Sequence, residues 1–225
     1  VRLGPFVMAR TEMTGGRYRQ LLAEGRVTEV PAARDLGHPL HRYCTWLGPD
    51  DGTHDELPLN CVTFALAEAA CIADDGRLPS EAEWEHAARG RGRGHRYPWG
   101  DAAPDCCFTG AGVGYCYPVV LPDPVGSHLP SEDCSGDVTG DGVLDLGGSL
   151  QELTRDGFAS YEAACWQGPG ALLDPVCFDA SLPNRSLRGG HYFGALLFTA
   201  AALRANASGD PAITEGFRCV REDAP

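Results

Sequence analysis

The chain contains no lysine: all 18 of its Lys+Arg residues are arginine. Schiff-base chemistry by a side-chain amine is therefore excluded. No apolar run reaches the length of a membrane helix, so membrane insertion is not expected. Cysteines never fall at C-x-x-C spacing, which argues against zinc knuckles. No G-x-S-x-G turn is present to carry a nucleophilic serine. Basic residues are also scarce relative to acidic ones, 18 against 31, for a net charge of −13. No basic face can dominate such a surface, and nucleic acid is not expected as a partner. The one basic run, Arg89 to Arg96, reads as a solvated loop. Internal repeats and low-complexity linkers are absent.

What is abundant is cysteine, glycine and proline: 10, 29 and 17 residues in a chain of 225. The length suits one domain, residues 1–225. The glycine and proline content predicts a loop-rich fold. An even number of scattered cysteines predicts disulfides, and hence an extracellular, cell-surface or periplasmic location. Proximity in the chain pairs Cys44 with Cys61 and Cys165 with Cys177, and groups Cys106, Cys107, Cys116 and Cys134 within one loop. The abrupt start at Val1 suggests that a leader, and a first strand, precede this sequence.

Element signals are local and clear. A short strand is expected near Val1–Met8, a helix from Gly15 to about Glu24 after Thr14, and a second from Phe64 to about Asp74 after Thr63. A polar loop separates them, Gly25 to Pro58. The third helix, Ser80–Arg89, states its own boundaries. Pro79 bars backward extension, Ser80 and Glu83 form a capping box, and Gly90 suits a left-handed stop. Trp84, Ala87 and Ala88 share one face. A long loop, Asp101 to Ser135, follows, and strands return from Arg188 to about Val220.

The run from Arg77 through Gly90, followed by Tyr97-Pro98-Trp99-Gly100, resembles the signature of the formylglycine-generating-enzyme family, also called the sulfatase-modifying-factor domain. Further segments agree in order: Pro5–Thr14, Pro58–Thr63, Asp145–Leu153, Arg188-Gly189-Gly190 and Gly216-Phe217-Arg218. The resemblance spans nearly the whole chain. It implies a single irregular α+β domain with C-type-lectin-like topology, low in regular secondary structure. It also implies a bond between Cys71, six residues before Arg77, and Cys219, which follows Arg218.

Two segments are rich in oxygen donors. Asp137, Thr139 and Asp141, with Gly142 after the third, match the front half of an EF-hand-like loop, although Gly148 occupies the place of the usual twelfth-position glutamate. The resemblance adds a second expected calcium site, in which Asp145 and Glu152 give side chains and Gly148 and Leu150 give carbonyls. Calcium at either place would be structural. Turns whose aspartates cap their own backbone are the plainer alternative.

The resemblance also shows what is missing. Oxidase members carry two thiols after the Arg-Gly-Gly segment, which hold copper for oxygen activation, and soft sulfur is what Cu(I) requires. The matching positions here are Gly194 and Thr199, and no cysteine lies between Cys177 and Cys219. Copper and iron are therefore not expected as cofactors. Relatives that synthesise ergothioneine use iron held by histidines in an extra helical domain, which is not expected here. His191, with Gly194, Thr199 and Arg188, is expected to line a pocket where the lost site stood. The reading is a secreted, calcium-stabilised, non-catalytic binding or structural module, with a protein partner or surface assembly favoured over glycan. The alternative is a metal-dependent oxidoreductase with relocated chemistry, at His191 or at His38, His41 and His54 with Asp55 or Glu56.

Overall fold

Three capping residues start the three α-helices of the computed structural model, which describes residues 1–105, 121–132, 134, 136–178, 184–207 and 209–223. Helix α1 spans Gly15–Ala23, and Thr14 accepts a hydrogen bond from the Arg17 amide. Helix α2 spans Phe64–Ala73, capped by Thr63 through the Leu66 amide. Helix α3 spans Glu81–Ala88 with the full capping box: Ser80 Oγ accepts from Glu83 N–H at 3.1 Å, and Glu83 Oε2 accepts from Ser80 N–H at 2.8 Å. Arg77 reinforces the box by holding both Glu83 oxygens. The chain leaves α3 through Gly90 at φ +67, where a side chain would run into His95. All three helices end within a residue of the positions read from sequence.

The strands are short and come from distant parts of the chain. Strand β1 (Phe6–Met8) pairs antiparallel with β6 (Val220–Glu222), with Val7 opposite Arg221. Strands β2 (Gln151–Gly157), β3 (Arg185–Arg188), β4 (Arg204–Ala207) and β5 (Glu215–Gly216) form a sheet in the order β4-β3-β2-β5. Its pairs are antiparallel except β2 with β5. From sequence, the return to strands is expected at Arg188. The sheet in fact starts at Gln151, inside the segment read as a calcium loop, because Leu153 and Thr154 bury as a central strand must.

Disulfides tie these elements together as expected: Cys44–Cys61, Cys71–Cys219 and Cys165–Cys177. Cys71–Cys219 fixes α2 to the residue before β6, 148 positions away. Cys134 is also disulfide-bonded. Cys106, Cys107 and Cys116, expected to pair with it, lie outside the described residues. The main core packs Tyr18, Leu21, Trp46, Leu59, Leu66, Leu78, Leu153 and Phe217; a smaller cluster gathers Trp84, Ala88, Val143 and Leu146.

Between the two clusters lies a buried ionic network built from the quoted motifs. Arg218 grips Glu152 through Nε and Nη2, at 2.7–2.9 Å, and also donates to the Leu144 carbonyl. Trp84 Nε1–H donates to Glu152 Oε2 at 2.9 Å. The same indole carries the Arg188 guanidinium 5.4 Å from its ring centre. Arg188 pairs in turn with Glu81 and Glu85, at 3.0 and 2.7 Å, and Glu81 also binds Arg204 and Ser186. Asp156 of β2 accepts from the Glu81 amide and seats the start of α3 on the sheet.

Breaking one partner of a buried ion pair leaves the other charge uncompensated. Arg218→Met should therefore lower unfolding free energy by about 3–5 kcal/mol in urea titrations. Arg91→Gln, which removes an exposed pair with Asp141, should change it by less than about 1 kcal/mol.

Candidate functional site

The segment 145–152 wraps around a buried acidic residue contributed by the other end of the chain. Glu12 Oε1 accepts from the Leu150 amide at 3.2 Å, while its Oε2 is buried with no hydrogen-bond partner. Ser149 Oγ is also buried and lies beside Glu12, where it favours the carboxylate. Asp145 accepts from the Gly126 amide at 2.6 Å. Asp145 and Ser149 both stand in the left-handed region, at φ +62 and +60, which turns the segment tightly. Three carboxylates, Glu12, Asp145 and Glu152, thus face one guanidinium, that of Arg218. Burial first, and then Asp145, holds the Glu12 carboxyl well above the usual carboxylate range, and burial raises the Asp145 carboxyl.

This arrangement fits a hard divalent cation in charge and donor type. Glu12 and Asp145 would hold it, with the Gly148 and Leu150 carbonyls. The surroundings of Glu152 and Glu12 differ from those expected of the ligand set. Glu152 points its oxygens at Arg218 and Trp84, so its first duty is the ion pair rather than a metal. Glu12 was not among the expected ligands. No group of three or more His, Cys, Asp or Glu side chains comes together in metal-binding geometry among the described residues.

The second expected site does not gather its ligands. Asp137 turns inward and accepts from the Gly147 amide at 2.8 Å. Thr139 Oγ1 accepts from the Val143 amide, within a tight turn closed by Gly142 N–H on the Thr139 carbonyl. Asp141, at the tip, reaches out to Arg91. The alternation of donors reflects a turn that caps its own backbone, because Thr139 and Gly142 close it before the aspartates can converge.

The pocket expected around residue 191 is also divided. Arg188 is fully buried in the ionic network, not turned to a pocket. Thr199 is fully buried, and its hydroxyl donates to the Leu196 carbonyl at 2.7 Å. Gly194 packs on His191: a side chain there would meet the His191 carbonyl at 3.1 Å and its ring at 3.4 Å. His191 Nδ1 and Tyr192 Oη are buried without partners, and burial pushes the imidazole pKa down. Next to them Phe193, Leu197 and Phe198 are exposed, with Tyr43 edge-on to Phe193 at 5.9 Å. Three cavities of about 370, 710 and 550 Å³ are lined by other residues.

The histidine loop holds no metal-like cluster either. His38 and His41 stack at 3.9 Å, and His38 Nδ1 accepts from the Leu40 and His41 amides. His54 meets the Thr45 carbonyl, and Asp55 pairs with Arg19. Sequence reasoning also missed Glu215. It is buried on β5 opposite Gln151, and burial raises its carboxyl to about 7. A polar residue just ahead of Gly216-Phe217-Arg218 gave no sign of depth.

Comparison with known proteins agrees with this architecture. The family model for the sulfatase-modifying factor enzyme 1-like domain matches residues 1–223, and the chain belongs to that family. It is 28% identical to a formylglycine-generating enzyme of Streptomyces coelicolor, over 99% of this chain and 80% of the relative. It is 40% identical to a hercynine oxygenase of Mycolicibacterium thermoresistibile over 148 residues, which are 58% of this chain and only 32% of that enzyme. A 56-residue stretch, 24% of this chain and 18% of the relative, is 46% identical to the inactive C-alpha-formylglycine-generating enzyme 2 of Mus musculus. Among solved structures, PvdO from Pseudomonas aeruginosa superposes with a TM-score of 0.70 at 22% identity, covering 97% of this chain and 80% of that one. Variable protein 1 of Treponema denticola gives 0.69 at 18% identity, covering 99% and 86%. These two likenesses concern the fold.

Glu215 sets a pH dependence. Its folded pKa, about 7, lies above its ordinary value of 4.5. The stability it contributes is present in full below pH 4.5 and is lost as pH rises through 7. Glu215→Gln should remove this slope and stabilise the protein at pH 8 by about 1–3 kcal/mol relative to wild type. Urea unfolding at pH 4.5 and 8 checks it.

Proposed function

We propose that this chain is a secreted, calcium-stabilised, non-catalytic member of its family that serves as a binding or structural module in an extracellular protein assembly. One observation carries the reading. The positions where oxidase relatives place their copper-binding thiols hold Gly194, which has no donor, and Thr199, whose buried hydroxyl is already engaged with the Leu196 carbonyl. A glycine and a hard, committed hydroxyl cannot replace two soft thiolates. Exposed Phe193, Leu197 and Phe198 beside them give an apolar face that suits a protein partner. The disulfides support an oxidising compartment. The stretch similar to the mouse protein named as inactive fits a scaffold used without the oxidase chemistry. Calcium at Glu12 and Asp145 would offset their mutual repulsion and fix the 145–152 segment.

Anaerobic Cu(I) titration and oxygen uptake with a cysteine-containing peptide test the first part. No stoichiometric copper and no oxygen uptake above buffer are expected. A bound redox metal with oxygen consumption would establish the relocated oxidase instead. For calcium, millimolar CaCl2 should raise the melting temperature by several degrees over the EGTA-treated protein, as expected for a ligand that binds only the folded state. Asp145→Asn should abolish most of that rise. Equal melting with CaCl2 and EGTA would refute the calcium assignment.

A further inference from the structure

The cavity of about 710 Å³ lies between α3 and the segment 161–172, and shares no lining residue with segment 145–152 or residues 191–199. Its size is that of small-molecule sites, which run ~300–1,000 Å³, and it is too small for a partner domain. One side is apolar, with Tyr161, Trp166 and Leu172; the other is polar, with Glu85, His86 and Arg89.

The aromatic side is held in place. Trp166 ends a short 3-10 helix, Ala164–Trp166, pinned by the Cys165–Cys177 disulfide. Its ring meets Tyr161 edge to face, 5.9 Å between centres at 68°. Tyr161 is 53% exposed, yet the Arg204 guanidinium sits 4.1 Å from its ring centre, and Gln167 Nε2 donates to its carbonyl. Rigid, partly exposed aromatic rings offer apolar contact at little further ordering cost. The Trp166 indole N–H is buried with no acceptor, so an acceptor brought to it would satisfy a donor that is already desolvated.

The charges on the polar side are spoken for. Glu85 pairs with Arg188 and Arg89, and Glu81 with Arg188 and Arg204. A charged ligand would have to compete with these existing pairs for Glu85 and Arg89. A purely apolar ligand would cover Glu85 and Arg89 without giving them hydrogen bonds, at a cost in desolvation. A neutral polyol with one apolar face meets both sides: C–H groups on Tyr161 and Trp166, hydroxyls donating to Glu85 and accepting from Arg89. We infer that this cavity binds a neutral saccharide of one to a few rings, at a site independent of the apolar face around Phe193.

Saturation-transfer NMR and calorimetry on the intact protein test this with lactose, cellobiose and N,N′-diacetylchitobiose as neutral probes, and 3′-sialyllactose and a heparin disaccharide as anionic ones. At least one neutral probe should bind. Tyr161→Ala should weaken it tenfold or more, and Leu172→Trp, which fills the cavity while keeping the aromatic pair, should abolish it. Phe193→Ser should leave it unchanged. Absence of binding by every neutral probe, binding by the anionic probes alone, or binding that survives Leu172→Trp would overturn the assignment. Should Tyr161→Ala fail to fold, Leu172→Trp alone decides.

Discussion

Trp84 joins two ion pairs that would otherwise be separate. Its N–H binds Glu152, held by Arg218, while its ring carries Arg188, held by Glu81 and Glu85. Arg188 and Arg218 are both fully buried, so each must find its counter-ion inside the protein. Those counter-ions come from α3 and β2, 66 to 107 residues away along the chain. The strands are too short to order themselves. Their register is set where Glu152 lies opposite Arg188 across β2 and β3, and Gly216 lies opposite Glu152 across β2 and β5. Burying charge is costly, and a register that slipped by one residue would turn these side chains to the wrong face. The network thus selects one topology for a chain with little regular structure to select it otherwise.

This explains why the fold was legible and much of the site was not. Helix starts are local statements: Thr14, Thr63 and Ser80 each act on an amide three residues on, so sequence spacing alone displays them. The Cys71–Cys219 pairing was accessible through resemblance, while Cys44–Cys61 and Cys165–Cys177 followed from proximity. The roles of Glu12 and Glu152 depend on partners 138 and 66 positions distant, and no local pattern announces such contacts. Alternating aspartates misled for the same reason. Asp137, Thr139 and Asp141 have the spacing of a calcium loop, but the turn closed by Gly142 sends Asp137 inward and Asp141 outward.

Segment 145–152 combines two demands that pull against each other. Arg218 needs Glu152 as its counter-ion, and the tight path through Asp145 and Ser149 draws Glu12 and Asp145 close to that pair. The guanidinium can neutralise one carboxylate fully, not three. Burial raises the carboxyls of both Glu12 and Asp145, and at Glu12 the neighbouring Asp145 adds to it. Either protons or a cation must carry the balance at neutral pH. The crowding of acidic groups in this segment is thus a consequence of the same ion pair that orders the sheet.

The motifs that place this chain in its family therefore belong mainly to folding. Ser80 and Glu83 cap a helix, Trp84 and Glu81 serve buried arginines, and Arg188 and Arg218 are those arginines. Residues 191–199 follow Arg188-Gly189-Gly190 directly, and Thr199 spends its hydroxyl on the Leu196 carbonyl rather than on an ion pair. The ion pairs of the buried network do not involve the side chains of residues 191–199. A family signature of this kind states how a chain folds, and its chemistry has to be argued from the loop that follows Arg188-Gly189-Gly190.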